Sequence, residues 1–113
     1  MGKFEIKVAK NGEYVFNLKA ANGQVILTSQ MYKSKASCET GIASVKKNAE
    51  KASAFKIEEA KNGKPYFTIK AANGEIIGKS QMYASIDTCK KGIDSVQRNA
   101  PKAPVVEIEA DAE

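Results

Sequence analysis

Lys-Ala-Ala-Asn-Gly-Gln-Val-Ile-Leu-Thr-Ser-Gln-Met-Tyr occupies residues 19–32, and Lys-Ala-Ala-Asn-Gly-Glu-Ile-Ile-Gly-Lys-Ser-Gln-Met-Tyr occupies residues 70–83. The two stretches lie 51 positions apart. The same shift places Phe4 on Phe55, Asn11-Gly12 on Asn62-Gly63, Cys38 on Cys89 and Gly41-Ile42 on Gly92-Ile93, without a gap. About half of the aligned positions are identical, so the chain is one unit written twice. Repeat one covers 4–49, repeat two covers 55–100, and 101–113 is left as a C-terminal strand and acidic tail.

Outward from the quoted stretches, the pattern in each copy is strand, strand, strand, helix. Phe4, Ile6 and Val8 alternate with Glu5, Lys7 and Ala9, the period of two that marks a strand with one buried face. Tyr14 to Ala20 alternates in the same way, and Asn22-Gly23 then reads as a type I′ hairpin turn into a third strand, Gln24 to Ser29. Copy two repeats this in Phe55–Ala60, Tyr66–Ala72 and Glu75–Ser80, with Pro65 in the place of Tyr14 at a strand start, where a missing N–H is tolerated. After Tyr32 the spacing becomes helical: Cys38, Ile42, Val45 and Ala49 form one stripe, as do Cys89, Ile93, Val96 and Ala100. Ser34 and Ser85 are placed to cap these helices, and Pro101 to end the second. Val105 to Glu109 reads as a further short strand, expected to add to an exposed sheet edge, either of its own copy or of the opposite one. The fold class is therefore α+β: two β-β-β-α repeats with pseudo-twofold symmetry, an antiparallel sheet packed by two helices, and an extra C-terminal strand.

A chain of 113 residues suits one domain, and half of it lies near the lower limit for folding alone, so the copies share a core over residues 1–113. Composition is that of a soluble globular protein, with no apolar run of membrane-spanning length and no signal-peptide pattern at the N-terminus. Two cysteines are too few for a disulfide scaffold and suit a reducing compartment, so the cytoplasm is expected. Histidine is absent, which removes the commonest general base, the commonest metal ligand and every histidine-activated nucleophile. Phosphate loops and repeated carboxylate pairs are missing too. The expectation is a protein that is not an enzyme and carries no cofactor or metal, probed best as a binding or interaction module.

Three groups of residues are candidates for a site. Ser29, Gln30 and Tyr32, with Ser80, Gln81 and Tyr83, sit at the strand-to-helix junctions, where polar groups and a helix start could hold an anion. The alternative is that the tyrosines pack between helix and sheet, Met31 and Met82 fill gaps and the serines close local turns. Lys19 and Lys70, with Lys7, Lys10, Lys61 and Lys64, could form a basic surface for nucleic acid or another polyanion, or could merely keep a sheet face soluble. The net charge is +8 over residues 1–100 and −3 over 101–113, and the single arginine, Arg98, gives little basis for reading base edges, so such binding is expected to be weak and salt-sensitive. Cys38 and Cys89 suggest a thiol redox role only if they are exposed, and otherwise act as small core residues. No membrane partner is expected. A monomer with internal twofold symmetry is favoured, with a dimer as the alternative.

The Lys-Ala-Ala-Asn-Gly, Ser-x-x-Tyr and Gly-Ile-x-Ser-Val-x-x-Asn-Ala blocks, each present twice in the same order, resemble the YegP-like family of small uncharacterised bacterial proteins. The resemblance covers residues 4–100 in two passes. It implies β(3)-α-β units, occurring as tandem repeats or as dimers of single repeats joined through exchanged C-terminal strands. It implies no activity and supplies no catalytic residues. Gln30-Met31 and Gln81-Met82 stand where relatives often carry an acidic residue and glycine.

Overall fold

The computed structural model describes residues 2–108. In each copy the three alternating segments are strands: β1 (Lys3–Val8), β2 (Tyr14–Lys19) and β3 (Val25–Thr28), then β4 (Phe55–Glu59), β5 (Pro65–Lys70) and β6 (Ile76–Lys79). The striped segments are helices α1 (Lys35–Asn48) and α2 (Ile86–Asn99), and the chain closes in β7 (Val105–Glu107). Glu109, the last residue of the strand expected from the sequence, lies outside the described residues. Short 3-10 turns follow both helices, Ala52–Ala54 after a three-residue gap and Ala100–Lys102 directly, so they are not at equivalent positions of the repeat.

All strands join one sheet in the order β4-β5-β6-β3-β2-β1-β7. The copies meet where β3 and β6 run antiparallel with Thr28 opposite Lys79, two residues that are equivalent in the repeat. A pseudo-twofold axis therefore passes between them. Leu27 fills the seam by packing on Gly78, where a Cβ would come within 2.9 Å of the Leu27 Cγ. β7 of copy two crosses to copy one and pairs with β1, as the family resemblance implies, but it does so in parallel, so the sheet is mixed rather than wholly antiparallel. The 3-10 turn after α2 delivers the chain to that edge in this direction.

The hairpins differ from expectation in one detail. Gly12, Gly23, Gly63 and Gly74 have φ near +85°, and among the described residues no other kind of residue has positive φ. Asn22 therefore does not adopt the type I′ conformation. Its side-chain oxygen accepts from Gln24 N at 3.0 Å, Gly23 N donates to Ala20 O and Ala20 N donates to Gln24 O. This is the longer, three-residue alternative, a type I turn followed by one glycine in the left-handed region. The bulges between Leu18 and Lys19, and between Ile69 and Lys70, absorb the extra residue.

Both helices lie on one face of the sheet and bury a single core that includes Phe4, Phe16, Leu18, Leu27, Val45, Phe67, Ile69 and Val96. Ser34 and Ser85 cap them, accepting from Ser37 N and Thr88 N respectively. Among the described residues, no helix or strand lies over the opposite face of the sheet. Among the described residues, no helix is long and apolar enough to cross a membrane.

Candidate functional site

The strand-to-helix junctions are built for packing. Ser29 is buried, accepts from Phe16 N at 2.9 Å and donates to Gln30 O at 2.7 Å, while its own N–H donates to Phe16 O. Ser80 repeats this set with Phe67 and Gln81. Each hydroxyl thus satisfies a buried backbone N–H where the ladder ends. Tyr32 stacks on Phe16 with ring centroids 6.2 Å apart, and Tyr83 on Phe67 at 6.1 Å. Their hydroxyls lie against the bare backbones of Gly41 and Gly92. That contact explains why Ser-x-x-Tyr and the helical Gly-Ile recur together. Burial raises both phenols above their ordinary range. Tyr14 and Tyr32 exchange two backbone hydrogen bonds, whereas Pro65, lacking an N–H, only accepts from Tyr83 N. Met31 and Met82 do not fill gaps: both are about half exposed, because the tyrosines occupy the space beneath the helices.

Gln30 and Tyr32 also line a cleft of about 420 Å³ between α1 and the β5–β6 turn, with Ser37, Thr40, Asn73 and Glu75. The repeat does not conserve its chemistry, since Thr40 and Glu75 correspond to Lys91 and Gln24.

The candidate lysines are not brought together. Because β3 and β6 are antiparallel, equivalent residues lie toward opposite ends of the sheet, which separates Lys19 from Lys70, and the turn bearing Lys10 from that bearing Lys61 and Lys64. Lys19 Nζ is 3.1 Å from Glu5, and Lys3 Nζ is 3.4 Å from the same carboxylate. Glu5 is only 4% exposed, covered by these long side chains. Burial alone would raise its pKa, but the two ammonium groups outweigh that and hold it below the usual range. Lys70 lines a separate hollow of about 290 Å³ with Asn48, Lys51 and Ser53.

Cys38 and Cys89 are fully buried on the helix stripes. Burial pushes the Cys38 thiol up to about 11 and raises that of Cys89 as well. Neither is a nucleophile near neutral pH. Native protein is expected to resist thiol-alkylating reagents until denatured, as a mass-spectrometric labelling series would show. An unfolded thiol ionises at about 8.5, so the contribution of Cys38 to stability is complete below that pH and is lost as pH rises toward about 11, and that of Cys89 is lost in the same direction.

What sequence periodicity leaves hidden is the surface formed when six strands align. One row of outward side chains crosses the sheet: Glu5, Asn17, Thr28, Lys79, Thr68 and Lys56. Lys7, Tyr66 and Glu58 flank it, with Lys79 Nζ over the Tyr66 ring at 4.8 Å from the centroid. Lys56 lies 3.7 Å from Glu58. Both carboxylates of this face are thus already met by lysines, which leaves it net positive. Thr68 is 3% exposed, and its hydroxyl has no partner among the described residues, because Lys79 stands where Thr28 bonds Asn17 in copy one. The signal for this site was the outward half of the strand alternation, read across strands rather than along them.

The domain of unknown function DUF1508 matches residues 9–55 and again 60–107. Each matched unit begins after the first strand of a copy, and the second runs to the end of β7. A UPF0339 protein of Pasteurella multocida is 49% identical over 112 residues, covering 99% of this chain and 98% of its own. The UPF0339 protein YegP of Yersinia pestis is 50% identical over 99 residues, 88% of each chain. Two solution structures superpose closely: a UPF0339 protein of Shewanella oneidensis, with TM-score 0.90, 42% identity and coverage of 96% and 92%, and E. coli YegP, described as a protein of unknown function, with TM-score 0.91, 44% identity and coverage of 97% and 95%. With the doubled unit and its exchanged strand in view, the chain belongs to the UPF0339 family of YegP-like proteins, in which it carries the DUF1508 domain twice.

Proposed function

We propose that this protein is a non-enzymatic binding module of the cytoplasm that holds polyanions, single-stranded nucleic acid above all, on the uncovered face of its sheet. Thr68 carries the reading. A hydroxyl buried without a partner costs roughly 1–3 kcal/mol, and this one lies in a cross-strand row between Lys56 and Lys79 and beside Tyr66. A phosphate oxygen entering between the two ammonium groups would accept from it, while the Tyr66 ring offers a stacking surface once Lys79 swings onto the phosphate. Lysines without a guanidinium fork bind phosphate as point charges, so the binding is weak and tolerant of sequence.

The test is fluorescence anisotropy of a labelled single-stranded oligonucleotide across a salt series. About three phosphate contacts predict a log–log salt slope near −2. Lys79→Glu should weaken binding about tenfold. Thr68→Val should weaken it severalfold while stabilising the free fold by about 1 kcal/mol, a combination that a purely structural threonine would not give. Absence of binding at low salt, or binding indifferent to salt, would overturn the reading.

A further inference from the structure

The sheet has seven strands, an odd number that a twofold cannot divide. β7 seals the outer edge of β1: Phe4 N donates to Pro104 O and Ile108 N to Ile6 O, both at 2.8 Å. Beneath that seal Phe4 is 0% and Ile6 2% exposed. The equivalent strand, β4, is an edge. Its Phe55 and Ile57 remain partly exposed; the Phe55 N–H turns back to Ala52 O, but the Ile57 N–H and C=O, which correspond to those of Ile6, face outward without a backbone partner among the described residues. Over the sealed edge, Lys35 at the start of α1 pairs with Glu107, which stands opposite Ile6. Over the open edge the same helix position is Ile86, 55% exposed. An ionic clasp in copy one is an uncovered apolar side chain in copy two.

We infer that β4 is a docking edge for a second copy of this chain, pairing antiparallel with β4 of that copy about a twofold through Ile57. Charge selects both partner and register. The strand reads Phe55-Lys56-Ile57-Glu58-Glu59, with Lys56 and Glu58 on the uncovered face. Centred on Ile57, the pairing puts Lys56 of each copy directly opposite Glu58 of the other. Sliding by one residue about the twofold, to centre on Lys56 or on Glu58, sets like charges against each other. With Ile57 N–H and C=O both outward, the central pair exchanges two hydrogen bonds, and the flanking Lys56–Glu58 pairs fall at the closer spacing. The joined sheet keeps all helices on one face. Ile86, in the place from which Lys35 reaches the residue opposite Ile6, then covers Ile57 of the second copy. The far edge, at β7, is only three residues long and follows Pro104, which suits it poorly for the same use.

Sedimentation velocity of the full chain at concentrations up to about 1 mM would detect even an interface of roughly −4 kcal/mol. The wild type should dimerise reversibly. Lys56→Glu and Glu58→Lys should each weaken association about tenfold or more, because each sets two like-charged pairs across the junction. Mixing the two variants should restore association, and so should the double exchange Lys56→Glu/Glu58→Lys, which keeps the test valid if one single variant folds poorly. A wild type that stays monomeric throughout, reversals without effect, or a mixture and double exchange that both fail to recover would each overturn the proposal.

Discussion

Replacing Gly41 with alanine is expected to destabilise the protein by about 2 kcal/mol, although the same change in an exposed helix would stabilise it by nearly 1. A Cβ at Gly41 would overlap the Tyr32 hydroxyl and lie 2.8 Å from its Cζ and 3.1 Å from Phe16 Cε2. Tyr32 has little freedom to move, since its ring stacks on Phe16 at an interplanar angle of 13° and its backbone is bridged to Tyr14. Phe16 is in turn locked edge-on against Phe4 at 5.8 Å. The strain therefore spreads through an aromatic ladder instead of relaxing at one side chain. Gly92→Ala should behave alike, since its Cβ would overlap the Tyr83 hydroxyl and stand 3.0 Å from Phe67. Urea denaturation of Gly41→Ala, Tyr32→Phe and the double variant would test the mechanism. Removing the hydroxyl should recover about 1 kcal/mol of the loss as a positive coupling, and simple additivity would show that the contact is not the cause.

The second large effect separates the two copies. Phe4→Ala is expected to cost about 4 kcal/mol and Phe55→Ala about 2, although the residues are equivalent in the repeat. Both rings sit edge-on against a partner at 5.8 Å, Phe4 on Phe16 and Phe55 on Phe67. Only Phe4 is also roofed by β7 and fully buried. Thermal or chemical denaturation at low protein concentration, where association does not contribute, would measure the gap. Equal losses would mean that the edge strand contributes no burial.

The duplication, all six alternating strands, both helices and their serine caps could be read from residue order, because period and turn chemistry are local properties. That the last strand adds to a sheet edge was also readable from Val105, Val106 and Ile108, but which copy receives it was not: the residues leave the edge open, and only the family resemblance implied an exchange. The direction of β7 was not readable either, because parallel and antiparallel pairing present the same alternation. Nor was the turn type: Asn-Gly serves two geometries, and only the backbone shows that Asn22 instead accepts from Gln24. The candidate site was the least accessible. Ser29, Tyr32 and their counterparts are polar residues at a junction, which is what both an anion site and a packed corner look like along the chain. Lys19 was offered as a free cation, and its pairing with Glu5 depends on cross-strand register. Thr68 carries no signal along the chain, because its lack of a partner arises only when Lys79 is laid beside it.

The repeated blocks thus read as scaffold, and binding is assigned to the face they leave uncovered. Two-dimensional amide NMR during titration with a short single-stranded oligonucleotide at low salt tests this division most directly. The predicted result is progressive shifts at Lys56, Tyr66, Thr68 and Lys79, fading as salt is added, with Gln30, Tyr32, Gln81 and Tyr83 unmoved. Shifts centred on those four junction residues, with the strand row silent, would contradict it.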